Sequence, residues 1–389
     1  MEKLFLKRNH DRRIKAGHLW VFSNELESIP DLPAGSVLEV YTSNNTNLGL
    51  GFYNPHSLIA VRLLKTISTI NSDFFLDRFN KAYELRKRLN NTEMCRLVFG
   101  ESDFLPGLIV DKYGDYIALQ ILSAGMENLI NEIIQALLKI LPNTKGIIAK
   151  NNSKMRILEG LPLDEKVLYG DIPEEIITNE NGIQLSISLK QSQKTGYFLD
   201  QTENRKFLMS ISKGLNVLDC YCNQGGFALH STKGGAKEII SIDSSNTALT
   251  LAKRNAELNN FKNIDFIESD VPEFLSRELQ IGKQWDLIVL DPPSFAKSKK
   301  DIRNALKGYA KINRLALQLL SKDGFLATSS CSQHITEETF YDIIIRESIK
   351  LNIQLRLIHR GSQASDHPVL ASMPETKYLK FFVFQKICQ

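Results

Sequence analysis

A chain of 389 residues with 43% hydrophobic and 24% charged side chains can bury two or three separate cores. Its net charge of +4 permits a polyanionic partner without requiring one, and no run of 18 or more apolar residues offers a transmembrane helix. Five cysteines, odd in number and without CxxC spacing, argue against a disulfide framework and a zinc site, and the charged start MEKLFLKRNHDRR is no signal peptide, so a cytoplasmic protein without metal or membrane partner is expected.

Residues 1–66 predict a compact β-barrel-like module: short apolar segments (VLEVYT, LGLGFY, LIAVRLL) alternate with turn clusters such as Pro33-Ala34-Gly35. Before them, Arg12, Arg13 and Lys15 precede Trp20 and Phe22, the cations for phosphate and rings for bases that nucleic-acid binding uses, though a solvated basic loop reads the same way. The segment RIKAGHLWVFSNEL followed by a Gly-rich β module resembles a PUA domain, which implies RNA binding. Residues 67–94 read as a linker whose amphipathic helix, 71–90, is opened by Asn71 or Ser72 and closed by Asn90 and Asn91. Residues 95–178 predict a small central α+β domain, with strands around Pro106-Gly107 and Tyr113-Gly114, the helix ENLINEIIQALLKIL and the strand GIIAK. No internal repeat is visible.

From residue 182 to 389 strands and helices alternate. GIQLSISL, NVLDCYC, EIISID, IDFIES, DLIVLD, GFLATSS and YLKFFVFQ are the strand candidates, which implies a doubly wound, Rossmann-like α/β domain. The run Leu287–Leu290 is apolar at every position, as a strand buried on both faces must be, and it stops at Asp291-Pro292-Pro293-Ser294-Phe295. Ligands bind at that edge of an open α/β sheet, and a carboxylate, two rigid prolines and a ring there suit a flat polar object such as a nucleobase.

The first turn of this domain, Asp219-Cys220-Tyr221-Cys222-Asn223-Gln224-Gly225-Gly226, has Asn223 where a nicotinamide fingerprint needs its first Gly. Its D-x-Y-x-N-x-G pattern resembles motif I of class I S-adenosylmethionine-dependent methyltransferases, with Asn223 as a mild departure because Asn tolerates a left-handed backbone. Asp243 ends the second strand, where a carboxylate accepts from ribose hydroxyls, and Asp270 follows the third, placed for an adenine edge. Cys331 follows GFLATSS, and neighbouring strands of a parallel sheet would bring it beside the 291–295 loop. A thiolate adding to C6 of cytosine activates C5 toward an electrophilic methyl group, a scheme that needs such a cysteine, although a small buried thiol is its commoner fate.

Together QKTGYFLDQTENR (193–205), VLDCYCNQGGFALH (217–230), LDPPSFAKSK (290–299), KGYAKINRLALQLL (307–320), SSCSQH (329–334) and DHPVLASMPETKYLK (366–380) resemble the bacterial PUA-containing large-subunit ribosomal RNA cytosine-5 methyltransferases. The resemblance implies Cys331 as nucleophile and Asp291 as holder of the target base. It implies a cofactor pocket from Tyr197, Phe198, Asp219, Tyr221, Asn223, Gly225, Asp243, Asp270 and Asp291. An RNA path is expected along Pro292, Pro293, Phe295, Lys297, Lys299, Lys300 and Arg303, with Arg12, Arg13 and Lys15 in the first domain. Some relatives carry a second Cys in the loop held here by Pro292-Pro293-Ser294, which leaves resolution of the adduct open. Ribosomal RNA methylation at a nitrogen needs no thiol, and an assembly protein with a lapsed fold needs no acids at the strand ends. The patterns do not encode oligomeric state, and a homodimer is one option.

Overall fold

The computed structural model describes every residue except Ser68, Asn90, Asn91, Gln193, Lys297, Cys388 and Gln389, and only the backbone of Lys299. The chain divides into two compact units. The first comprises residues 1–178, 187–197 and 365–376; the second comprises 179–186, 198–364 and 377–389.

The first unit contains two five-stranded sheets. In the N-terminal sheet the strands run in the order Lys3–Phe5, Ser36–Tyr41, Asn47–Tyr53, Ile59–Leu63, Trp20–Phe22, around a core that includes Leu4, Ile14, Val21, Leu38 and Val61. The basic stretch is a single helical turn, Arg12–Lys15, whose buried residue is Ile14. Ser72–Arg88 is the expected amphipathic helix, and the Asn71 side chain caps it by accepting from the Phe74 N–H at 3.1 Å. The expected closing residues Asn90 and Asn91 lie outside the described residues. Phe75 and Phe79 of this helix meet Ile133 and Leu137 of helix Ile130–Ile140 and Val98, Val110 and Leu119 of the second sheet, so one apolar face is buried between layers. Residues 187–197 and 365–376 are tied into this unit by buried polar contacts. Asp366 accepts the Arg96 N–H at 2.8 Å, and the Tyr113 hydroxyl accepts the Tyr197 N–H at 2.9 Å.

The second unit is organised by seven strands: β1 (Asn216–Cys220), β2 (Glu238–Asp243), β3 (Ile264–Glu268), β4 (Trp285–Leu290), β5 (Leu320–Ser330), β6 (Gln354–Gly361) and β7 (Lys380–Ile387). Their order is β3-β2-β1-β4-β5-β7-β6. The first five are parallel, and β7 runs antiparallel to both its neighbours. Leu287 to Leu290 are fully buried. Ile288 and Leu290 pack on one face with Leu218 and Ile242, while Leu287 and Val289 pack on the other with Val217 and Ile239, as the unbroken apolar run requires. Two elements differ from the sequence expectation. Among the described residues GIQLSISL does not join this sheet; Ile183–Ile187 pairs with Ile176–Glu180 in a two-stranded sheet. Strand β6 alternates exposed and half-buried positions, a pattern too weakly apolar to predict a strand.

Candidate active site

The strand order reverses beside β1, and the turn following that strand is built from left-handed residues. Tyr221, Asn223 and Gly225 have φ of 63°, 48° and 78°. At Gly225 a Cβ would also lie 3.2 Å from the Ala252 side chain, so a larger residue would press on the helix Asn246–Leu258. The tip of β2 clamps this turn. Asp243 accepts the Asn223 N–H through Oδ2 and the Ser245 N–H through Oδ1, each at 2.9 Å. Asp219 is buried. Its Oδ2 accepts the Ala228 N–H at 3.0 Å, while Oδ1 has no hydrogen-bond partner among the described residues. Burial first, then the charges of Asp291 and Asp243, push its carboxyl up to about 8.

Asp291 follows β4, and its N–H reaches the Cys220 carbonyl at 3.4 Å. Its carboxylate accepts from the Gln201 amide at 2.9 Å and from the Ser329 hydroxyl of β5. Gln201 is oriented in turn by Asn204, whose amide donates to the Gln201 Oε1 at 2.6 Å, so the Gln201 nitrogen must face Asp291. Burial raises the Asp291 carboxyl to about 6 against the lowering effect of the Ser329 bond, while Asp200 adds to the rise. Beside it, Ser294 and Ser332 share a hydrogen bond at 2.9 Å, which joins the loop after β4 to the turn after β5. The Tyr309 hydroxyl lies 3.0 Å from both the Ser330 and Ser332 hydroxyls. A cavity of about 300 Å³ opens there, lined by Ser294, Ala296, Cys331, Gln333, His334 and Tyr378. Sequence reasoning placed Cys331 and the 291–295 loop but missed Gln201, Asn204, Ser329 and Tyr309. The QTENR segment and the serines flanking Cys331 carried the available signal.

The other expected residues are placed as follows. Phe198 is half-buried in the second unit, its carbonyl accepting from Arg205 at 2.9 Å, whereas Tyr197 is buried in the first unit. Asp270 is exposed and caps the helix Val271–Gln280, accepting the Glu273 N–H at 3.1 Å. Pro292 is buried and Pro293 exposed. Phe295 packs on Tyr309 with ring centroids 4.7 Å apart. Lys300 and Arg303 are exposed, at the start of the helix Ile302–Leu319; Lys297 lies outside the described residues. In the first unit Arg12 is exposed, but Arg13 turns inward. It binds both Glu25 oxygens at 3.0 and 2.9 Å and the Trp20 carbonyl at 2.9 Å, and its guanidinium lies over the Phe22 ring. Lys15 is exposed and pairs with Asp11 at 2.5 Å.

Three carboxyl groups at neighbouring strand ends, one with an unpartnered buried oxygen, form an acidic cradle around a glycine-bearing turn, in which a bound cation would favour the ionised form of Asp219. A nucleoside carrying a sulfonium and an ammonium fits both the charge and the close backbone approach. Residues 144–381 match the family model of an S-adenosylmethionine-dependent methyltransferase, and residues 4–66 match that of a PUA-like domain. Fold and site thus define a class I S-adenosylmethionine-dependent methyltransferase with an N-terminal PUA-like domain. The ribosomal RNA large subunit methyltransferase I of Tolumonas auensis is 36% identical over 394 residues, covering 99% of each chain. That of Vibrio cholerae is 36% identical over 389 residues, covering 97% of this chain and 98% of the relative. A solved S-adenosylmethionine-dependent methyltransferase from Streptococcus mutans shares the fold, with a TM-score of 0.85 at 24% identity, covering 99% of this chain and 100% of that one. The chain belongs to the family of ribosomal RNA large subunit methyltransferase I.

Proposed function

We propose that this enzyme methylates C5 of a cytidine in large-subunit ribosomal RNA, with Cys331 as a covalent nucleophile. The observation that carries the reading is the shared cavity, which Cys331 and Ser294 of the Asp-Pro-Pro-Ser loop both line. The relatives' name supplies the RNA. S-adenosylmethionine supplies an electrophilic methyl group; Asp219 and Asp243 would hold it, with the Tyr221–Gly225 turn against its nucleoside.

The Cys331 thiolate adds to C6, and the C5–C6 double bond electrons move toward C5 and N3. A carboxyl at about 6 is ready to be protonated, so Asp291 can donate to N3 as charge develops there while its other oxygen accepts from the N4 amine. Gln201 and Ser329 keep that carboxyl in place. Once C5 carries the methyl group, loss of its proton to a base re-forms the double bond and expels Sγ. Of the cations expected along the RNA path, Arg12, Lys15, Lys300 and Arg303 are exposed and available to the RNA backbone.

The test is Cys331→Ala. Turnover should vanish while cofactor and RNA still bind, and RNA carrying 5-fluorocytidine should trap only the wild-type enzyme, because fluorine cannot leave as a proton. Full methylation by the folded mutant would sink the carbon-methylation reading and favour a nitrogen target.

A further inference from the structure

Lys380 opens β7, and only 5% of it is exposed. Its ammonium donates to the carbonyl of Ser332 at 2.6 Å and to that of Tyr378 at 2.8 Å. Both partners are neutral, and among the described residues no carboxylate lies within ion-pair distance of it. Glu337, the acid facing it from helix Glu337–Lys350, is engaged by Lys377 at 2.6 Å and Arg360 at 3.5 Å. A buried ammonium without a counter-charge is costly, and burial, helped by the charge of Lys377, lowers Lys380 to about 8 against the raising effect of Cys331 and Glu337. Cys331 is the first of the groups that act the other way on it.

Tyr309, facing Cys331 from the helix Ile302–Leu319, is neutral and bonded to Ser330 and Ser332. His334 and Tyr378 line the same cavity, and Lys377 is paired with Glu337. Lys380 is thus bonded to the residue after Cys331 and electrostatically coupled to Cys331 itself.

We propose that Lys380 is a positioning residue: its ammonium is the counter-charge of the Cys331 thiolate and clamps the Ser330–Ser332 turn through the Ser332 carbonyl. The proposal extends the reading of Cys331 as nucleophile and rests on it for its catalytic consequence. Lys380 breaks and forms no bond in the reaction. It raises the fraction of thiolate and fixes where Sγ points.

The experiment is the pH profile of Cys331 alkylation by iodoacetamide in the full-length protein, with Cys331→Ala as background. Lys380→Gln keeps amide donors but removes the charge. It should move the alkylation midpoint upward and slow alkylation at neutral pH by about tenfold, and Lys380→Arg should restore most of the loss. Turnover should fall in Lys380→Gln with the KM for RNA retained, and the acid limb of the activity profile should move with the alkylation midpoint. A second measurement does not depend on the Lys380 variants folding. Lys380 should titrate lower in Cys331→Ala than in wild type by NMR of ¹³C-lysine-labelled protein, because coupling between two charges is reciprocal. An unchanged alkylation profile in folded Lys380→Gln, or an unchanged Lys380 titration in Cys331→Ala, would overturn the proposal. Alkylation does not pass through methyl transfer, so failure of the nucleophile reading, seen as full turnover of Cys331→Ala, is told apart from failure here.

Discussion

Replacing Asp219 by Asn should stabilise the ligand-free protein while crippling cofactor binding. Burial holds this carboxyl at about 8 against an ordinary 3.8. The unfolded chain releases the proton near the ordinary value, whereas the folded chain keeps it up to about 8. The folded state therefore binds more protons across this window, and stability falls as pH rises through it. At about 1.4 kcal/mol per pH unit, the penalty at neutral pH is on the order of 4 kcal/mol. Asn has the shape of the neutral acid, and its carbonyl oxygen can accept the Ala228 N–H, so it carries no such penalty. Urea unfolding of both proteins at acid, neutral and alkaline pH reads the difference. The advantage of the Asn variant should be near zero at pH ~4 and reach several kcal/mol by pH ~8. Asp291, whose charge helps raise Asp219, loses that repulsion in the Asn variant, which adds to the difference in the same direction. Calorimetry should show S-adenosylmethionine bound at least about tenfold more weakly, because the unpartnered oxygen of Asp219 can no longer be an anionic acceptor. Unfolding curves that stay parallel across the whole pH range would refute the electrostatic argument.

Asp243→Ala removes the acceptor of the Asn223 and Ser245 N–H groups and should weaken cofactor affinity by about tenfold or more, a cost of ~1.5–3 kcal/mol; unchanged calorimetric affinity in a folded mutant would sink the assignment. Gln201→Leu strands the Asn204 amide and takes a donor from Asp291, so kcat should drop by about tenfold with cofactor affinity unchanged, and equal kcat values would show that Gln201 does not position the acid. Charge reversal at Arg12, Lys15, Lys300 and Arg303 should each lower the salt slope of RNA affinity by roughly one, measured by filter binding at several salt concentrations. Arg13→Ala should instead cost ~1–3 kcal/mol of stability, because it leaves Glu25 without its bidentate partner; a thermal melt equal to wild type would count against the ion pair.

What is local in this protein was legible in the residues. Leu287–Leu290 are apolar at every position and are buried on both faces, and Asn223 adopts the left-handed conformation that its place in the turn demands. The acids at the strand ends follow from the same logic, since a parallel strand ends where its apolar run does. Pairing between distant segments was not legible, because periodicity encodes which face of an element is buried but not what covers it. Nothing in YLKFFVFQ says that it inserts antiparallel between β5 and β6, yet that insertion brings Lys380 to the Ser332 carbonyl. Gln201 and Asp291 stand ninety positions apart, and only the packed sheet joins them. The same holds for charge. Arg12 and Arg13 are adjacent and alike in sequence, but a single helical turn exposes one and turns the other onto Glu25, because buried Ile14 fixes the orientation of that turn.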